Sequence, residues 1–293
     1  MASLKEVKSR ITSVISTQQI TKAMKMVAAA KLRRSQDRIM QMRPFAKKMN
    51  SLLQNLSAAD TDGQAWYSQV REEKKILIIT ISSDRGLCGS FNSTVFKAAI
   101  RLVEEKYAQQ GKQGNVIYLP IGKKALEFAE KRGFPLINNY WNLFQNLSFD
   151  NAAKAGDHVM EAYRKGEFDK VEIIYNEFKN VATQILRIEQ FLPILPSENS
   201  ANSTAQTDYI YQPNQEEILI GLIPKSLKVQ LYKAILDSNA SENGARMTAM
   251  DKATENAGDL LKELKLTYNR TRQAAITKEI LEIVAGAEAL KSA

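Results

Sequence analysis

The stretch Leu4–Leu56, LKEVKSRITSVISTQQITKAMKMVAAAKLRRSQDRIMQMRPFAKKMNSLLQNL, decides the architecture. Positions alternately three and four apart read Leu4, Val7, Ile11, Val14, Gln18, Thr21, Lys25, Ala28, Leu32, Ser35, Ile39, Met42, Ala46, Met49, Leu53 and Leu56. That is the heptad of one long helix, which needs another helix along its apolar seam. The seam is apolar at both ends and fails between 18 and 25. There a second stripe, Ile20, Met24 and Val27, predicts that the buried face rotates partway along, as a straight helix drifts against a heptad. Pro44 predicts a local kink or interruption. At 1.5 Å per residue the helix spans ~80 Å. Residues 1–57 carry twelve Lys/Arg against two acids, Glu6 and Asp37, a net +10, while the whole 293-residue chain is +9. So one-sided a helix calls for an acidic environment along its basic face.

A matching helix lies at the far end. Lys225–Leu290 contains no proline, and Pro224 stands where the helix is expected to start. Its seam reads Met247, Met250, Thr254, Ala257, Leu261, Leu264 and Tyr268, then shifts to Ile276, Ile280, Ile283, Ala287 and Leu290. Ser238–Ala245 has the weakest helix propensity and marks the place for a break. Between the two helices the pattern changes. Lys75–Ser82, Asn115–Ile121 and Val171–Tyr175 are short β-rich runs, with Ala182–Leu192 a candidate fourth strand. Helical stretches at 93–109, 123–132 and 151–165 alternate with them, which argues for a parallel α/β sheet. The expected organisation is an N-terminal helix (1–57), a linker (58–74), a Rossmann-like α/β domain (75–213, with a polar loop at 197–213) and a C-terminal helix (214–293). Two helices flanking an insertion pair antiparallel, as a coiled coil.

Composition excludes several classes. Hydrophobic content of 44% and charged content of 25% are those of a folded soluble protein. No run approaches the ~18 apolar residues of a membrane span, and charges interrupt any signal-peptide core. The single cysteine, Cys88, rules out an internal disulfide, and a His-based zinc site or triad would rest on His158 alone. A pI near 9.4 fits nucleic acid, an anionic surface or an acidic protein partner.

The loop Ser83-Asp84-Arg85-Gly86-Leu87-Cys88-Gly89-Ser90-Phe91-Asn92 follows the first strand, where α/β sheets bind ligands. It matches neither glycine-rich phosphate motif, so a structural or interaction turn is expected, with Asp84 and Arg85 as contacts. Cys88 reads as a buried structural thiol and His158 as solvated. Glu104–Glu105, Glu216–Glu217 and Glu279/Glu282 read as solvated helix faces. The basic run Lys22, Lys25, Lys31, Arg33, Arg34, Arg38, Arg43, Lys47 and Lys48 is the strongest chemical feature. Against nucleic acid, the first 44 residues offer no aromatic for stacking on bases.

Three blocks resemble the gamma subunits of the rotary F-type ATP synthases: Arg10-Ile11 with Thr17–Ala29; Ser83–Gly89; and Ala245–Met247, Met250, Ala253-Thr254, Asn256-Ala257, Asn269-Arg270, Arg272–Ala274, Ile276-Thr277, Glu279 and Glu282-Ile283. The resemblance implies a central shaft without catalytic residues. It would stand inside a ring of three alpha and three beta subunits, and meet epsilon and the membrane-embedded c-ring. Rotation driven by protons would couple to ATP, ADP and Mg bound on alpha and beta, none of them on this chain, at the cytoplasmic face of the inner membrane. It implies partner contacts at Lys22, Met24, Lys25, Arg33, Arg34, Arg246, Gln273, Thr277, Ile280 and Ile283. Two other readings remain from the residues alone: a basic coiled-coil nucleic-acid binder, and a nucleotide-binding α/β enzyme built around 83–92.

Overall fold

The computed structural model describes residues 3–57, 66–194 and 215–291, side chains of 47, 50–57, 215–220 and 289–291 excepted. Linker residues 58–65, the polar loop at 197–213, Glu216–Glu217, and the seam positions Leu53, Leu56 and Leu290 therefore lie outside the described side chains or backbone. The chain divides into two compact units, one of residues 1–27 with 247–293, the other of 28–246.

The larger unit is built on strand β1 (Ile76–Ile81). All six of its residues are buried, as a strand covered on both faces requires. It pairs in parallel with β2 (Val116–Ile121) on one side and β3 (Lys170–Phe178) on the other, in register Ile78↔Tyr118 and Ile78↔Glu172. An antiparallel β4 (Gln184–Leu192) completes the order β2-β1-β3-β4. The sheet is thus mixed: only five residues, 179–183, separate β3 from β4, too few for the crossover a parallel pair needs.

Alternation along β1 sends residues to two cores. Leu77, Ile79 and Ile81 pack with Ala155, Val159 and Tyr163 of one helix (α5, Phe149–Arg164) and with Leu227, Leu231 and Ile235 of the C-terminal helix (α6, Gln215–Lys291). Ile76 and Ile78 pack with Val95 and Ala99 of α2 (Phe91–Lys106) and with Tyr107, Val116 and Tyr118. Two short helices, α3 (Ala108–Lys112) and α4 (Lys123–Lys131), flank β2. Gly122, at φ +98°, is required before α4, because a Cβ there would lie 2.4 Å from the Ser82 carbonyl oxygen.

The N-terminal helix, α1, runs Leu4–Ser57 with Pro44 inside it, so the proline does not interrupt the helix. Pro44 is exposed, where water can take the freed carbonyl. The C-terminal helix starts at Gln215, close to the expected bound of 214, and carries Pro224 within it rather than at its start. It also passes Ser238–Ala245 unbroken. Burial overrides propensity there: Ser238, Ala240, Ser241 and Asn243 are buried, and Ser35 donates to Asn239 Oδ1 across the helix pair at 2.6 Å. The small residues permit close packing, since a Cβ on Gly244 would already sit 3.4 Å from the Phe178 ring.

In the smaller unit the same two helices pair antiparallel. Lys25 meets Asp251 at 2.6 Å, and Thr21 and Thr254 hydroxyls meet at 2.8 Å. The expected rotation of the α1 face does not occur. Thr21 is 8% exposed, whereas Ile20 and Val27 are 59% and 57% exposed. The heptad holds because the Thr254 hydroxyl donates to that of Thr21, which donates to the Gln18 carbonyl, so a polar step in the seam is tolerated. On α6 the seam likewise stays in register, through Thr271 and Ala275, instead of shifting to Ile276. Beyond Ala275, residues 276–288 are all exposed, a run of ~20 Å of helix.

Replacing Ile79, fully buried at the centre of the sheet, by alanine is expected to lower stability by ~2–5 kcal/mol. The urea midpoint of the full chain should fall with an unchanged slope.

Candidate functional site

The loop after β1 stands where the sheet order switches, with β2 leaving to one side and β3 to the other. Such a crevice is where α/β sheets place their functional loops. Here side chains lock the loop. Asn92 Oδ1 accepts from the Ser83 backbone N–H at 3.0 Å, and Asn92 Nδ2 lies 3.3 Å from Cys88 Sγ. Asp84 accepts from the Lys123 N–H at the N-terminus of α4, at 3.0 Å, a position that favours negative charge. Gly89 adopts φ 60°, and Leu87 is a non-glycine residue at φ 63° whose side chain is 64% exposed. Holding a leucine there costs ~1 kcal/mol or more. Gly86 has no positive φ and faces open space.

Cys88 is buried, and burial pushes its thiol above the ordinary value, which removes the thiolate a nucleophile needs. His158 is half-buried rather than solvated. Its ring lies 5.5 Å from that of Tyr140, and its Nδ1 is buried without a hydrogen-bond partner. Packing of α5 against the segment after β2 puts it there, which its polar neighbours in sequence do not reveal. No group of three or more His, Cys, Asp or Glu among the described residues is placed to hold a metal.

Arg246 ties the loop to α6. Its guanidinium meets Glu242 at 2.5 Å and donates to the carbonyls of Arg85 at 2.9 Å and Gly86 at 3.3 Å. Both side chains of the pair are about 12% exposed. The guanidinium is therefore engaged within the chain. Burial raises the Glu242 carboxyl above its ordinary value, with the charge of Arg246 opposing the shift. Asp237, paired with Arg43 at 3.3 Å, is raised by burial in the same way.

The loop, α1 and α6 enclose an open cleft of about 610 Å³ within the larger unit. Lys31, Arg34 and Arg38 line it from α1, and Arg85 from the loop. Sequence reasoning had no signal for Asn239, Asn243 or Phe144 on the same wall, because they come from segments distant in sequence.

The other expected contact residues lie outside the cleft. Arg33 is exposed on α1. In the smaller unit Lys22 is exposed and Met24 half-buried, while Lys25 is held by Asp251. Gln273 and Thr277 are exposed on α6, as are Ile280 at 55% and Ile283 at 71%. Leu281 and Val284 extend this apolar surface. Lys22, Lys31, Arg33, Arg34 and Arg38 have no ion-pair partner among the described residues.

The geometry offers terminal helices paired in each unit, an inserted α/β domain and a loop engaged in structural contacts. Comparison with known proteins is more specific. A family model described as ATP synthase matches residues 3–290. The ATP synthase gamma chain of Cytophaga hutchinsonii is 61% identical over 295 aligned residues, covering 100% of both chains. That of Flavobacterium psychrophilum is 54% identical, covering 99% of this chain and 100% of its own. A chain of the central stalk and c-ring structure of the Tetrahymena thermophila mitochondrial ATP synthase is 28% identical, with TM-score 0.58, over 80% of this chain and 99% of its own. A chain of the Euglena gracilis enzyme in rotational state 3 shares the fold at 22% identity, with TM-score 0.69, over 98% of this chain and 94% of its own. The chain belongs to the ATP synthase gamma-chain family.

Arg246→Met would leave the Glu242 carboxylate buried and unpaired, at a cost of ~3 kcal/mol at neutral pH. The folded value of Glu242 lies above the unfolded one, so the folded state holds the proton more tightly. The group's contribution is complete below the ordinary carboxylate range and falls as pH rises through the raised value. The loss in Arg246→Met should therefore shrink in mild acid. The double variant with Glu242→Gln should recover most of it, as read by urea unfolding at both pH values.

Proposed function

We propose that this chain is the central rotor stalk of a proton-driven ATP synthase. It turns with a c-ring and drives the catalytic sites of surrounding alpha and beta subunits in sequence. The observation that carries the reading is the exposed apolar end of α6 on a two-helix shaft, in a chain 61% identical over its whole length to a gamma chain. No residue of the chain does chemistry in this reading. ATP, ADP and Mg sit on the alpha and beta subunits.

Each part then has a task. Helices α1 and α6 form the shaft, and the α/β domain between them meets epsilon and the c-ring. Apolar contacts are non-directional, so a tip of Ile280, Ile283 and their neighbours turns in an apolar sleeve with low barriers. Gln273 and Thr277 contact beta loops just below that tip. Lys22, Met24 and Lys25 face the moving segment of beta. Arg33 and Arg34 add unpaired positive charge toward its acids, steering more than tightening the contact. Arg246 serves indirectly, by holding Arg85 and Gly86 in place. No described helix is long and apolar enough to cross a membrane. The chain sits peripherally, on the cytoplasmic face of the inner membrane.

Native mass spectrometry of the detergent-solubilised complex should find one copy of this chain with three alpha and three beta subunits. Finding the chain alone or on nucleic acid would overturn the reading. Ile283→Asp should lower proton-driven ATP synthesis about tenfold or more, because forcing a carboxylate into an apolar sleeve costs several kcal/mol. Unchanged coupled synthesis would remove the tip from the mechanism.

A further inference from the structure

The rotor role needs no small ligand on this chain, yet the cleft beside the loop after β1 has the make-up of an anion site. Three of its cations, Lys31, Arg34 and Arg38, recur at spacings of three and four on one face of α1, and Arg85 joins them from the loop. Like charges so spaced on a helix repel one another. The two acids that line the cleft, Asp84 and Glu242, offset them only in part, because Arg246 is a fifth cation there. Asp84 accepts from the Lys123 N–H, and Glu242 is bound by Arg246. None of the four cations has an ion-pair partner among the described residues. Arg246 also clamps the carbonyls of Arg85 and Gly86, so the loop that presents Arg85 is held in place.

We infer that this cleft binds a diphosphate group, gripped by Arg34, Arg38, Arg85 and Lys31. Guanidinium forks match phosphate oxygens two at a time, and a diphosphate offers oxygens to several cations at once. The cleft volume of about 610 Å³ also admits a nucleoside on the same group, with the Phe144 ring on its wall. Inorganic pyrophosphate and a nucleoside diphosphate share this chemistry. The inference does not rest on the rotor role, although Arg34 belongs to both.

The test is calorimetric titration of the full chain with inorganic pyrophosphate and, separately, with ADP. One saturable site is expected. Arg34→Ala and Arg38→Ala, both at exposed positions whose loss leaves the fold intact, should each weaken binding about tenfold or more, the worth of a charge-assisted hydrogen bond. Lys48→Ala removes an equally exposed cation of α1 away from the cleft and should change it less than about twofold. Tighter binding of ADP would assign the site to a nucleotide, and equal or tighter binding of pyrophosphate to the inorganic anion. No saturable binding at millimolar concentrations would overturn the inference. So would a loss in Lys48→Ala equal to that in Arg34→Ala, which would mean bulk attraction to a basic helix.

Discussion

Everything in this chain depends on the first helix finding the last. Neither is stable alone at such length without burying its seam. The α/β domain is inserted between them, so its two ends must return to one place. Ser35 with Asn239 and Arg43 with Asp237 mark that return in the larger unit. Thr21 with Thr254 and Lys25 with Asp251 mark the pairing in the smaller one. The contacts are polar as well as apolar. A purely apolar seam would bind more tightly but allow the helices to slide; paired hydroxyls and one ion pair penalise any shift in register, as single buried polar residues do in coiled coils.

Ionisable groups are buried where the helices meet the α/β domain, and each carries a cost. Glu242 and Asp237 are raised by burial, opposed chiefly by Arg246 and Arg43, with the charges of Lys31 and Lys233 adding to them. Glu172, on β3, is buried beside Lys106 and the Tyr107 hydroxyl, with one carboxylate oxygen left unpaired. Such groups add little net stability, but removal of one partner strands a charge. In Arg246 the expense has a use: the same guanidinium that neutralises Glu242 positions the loop after β1.

Much of this architecture was legible in the residues. The run ILIITI, apolar but for Thr80, announces a buried strand, and the β-rich runs at 115–121 and 171–175 announce its neighbours, β3 proving longer at Lys170–Phe178. The loop Ser83–Asn92 was legible as a turn without a phosphate motif. What misled was local reasoning applied where tertiary contacts win. Ile20 and Val27 look like a seam, yet they stay exposed while Thr21 is buried. Ser238–Ala245 looks like a break, yet its small polar residues allow the helix to lie close against the domain. His158 looks solvated, yet its ring lies against Tyr140.

The sequence by itself determined the two long helices, the inserted α/β domain and the excess of positive charge on α1. These follow from periodicity, strand composition and charge count, all of which are local along the chain. Only the tertiary structure decided which face of α1 is buried, that β4 runs antiparallel, and that Lys31, Arg34, Arg38 and Arg85 border one cleft. Those outcomes depend on partners far apart in sequence. The choice between Thr21 and Ile20 turns on a hydroxyl supplied from more than 230 residues away, which no window along the chain contains.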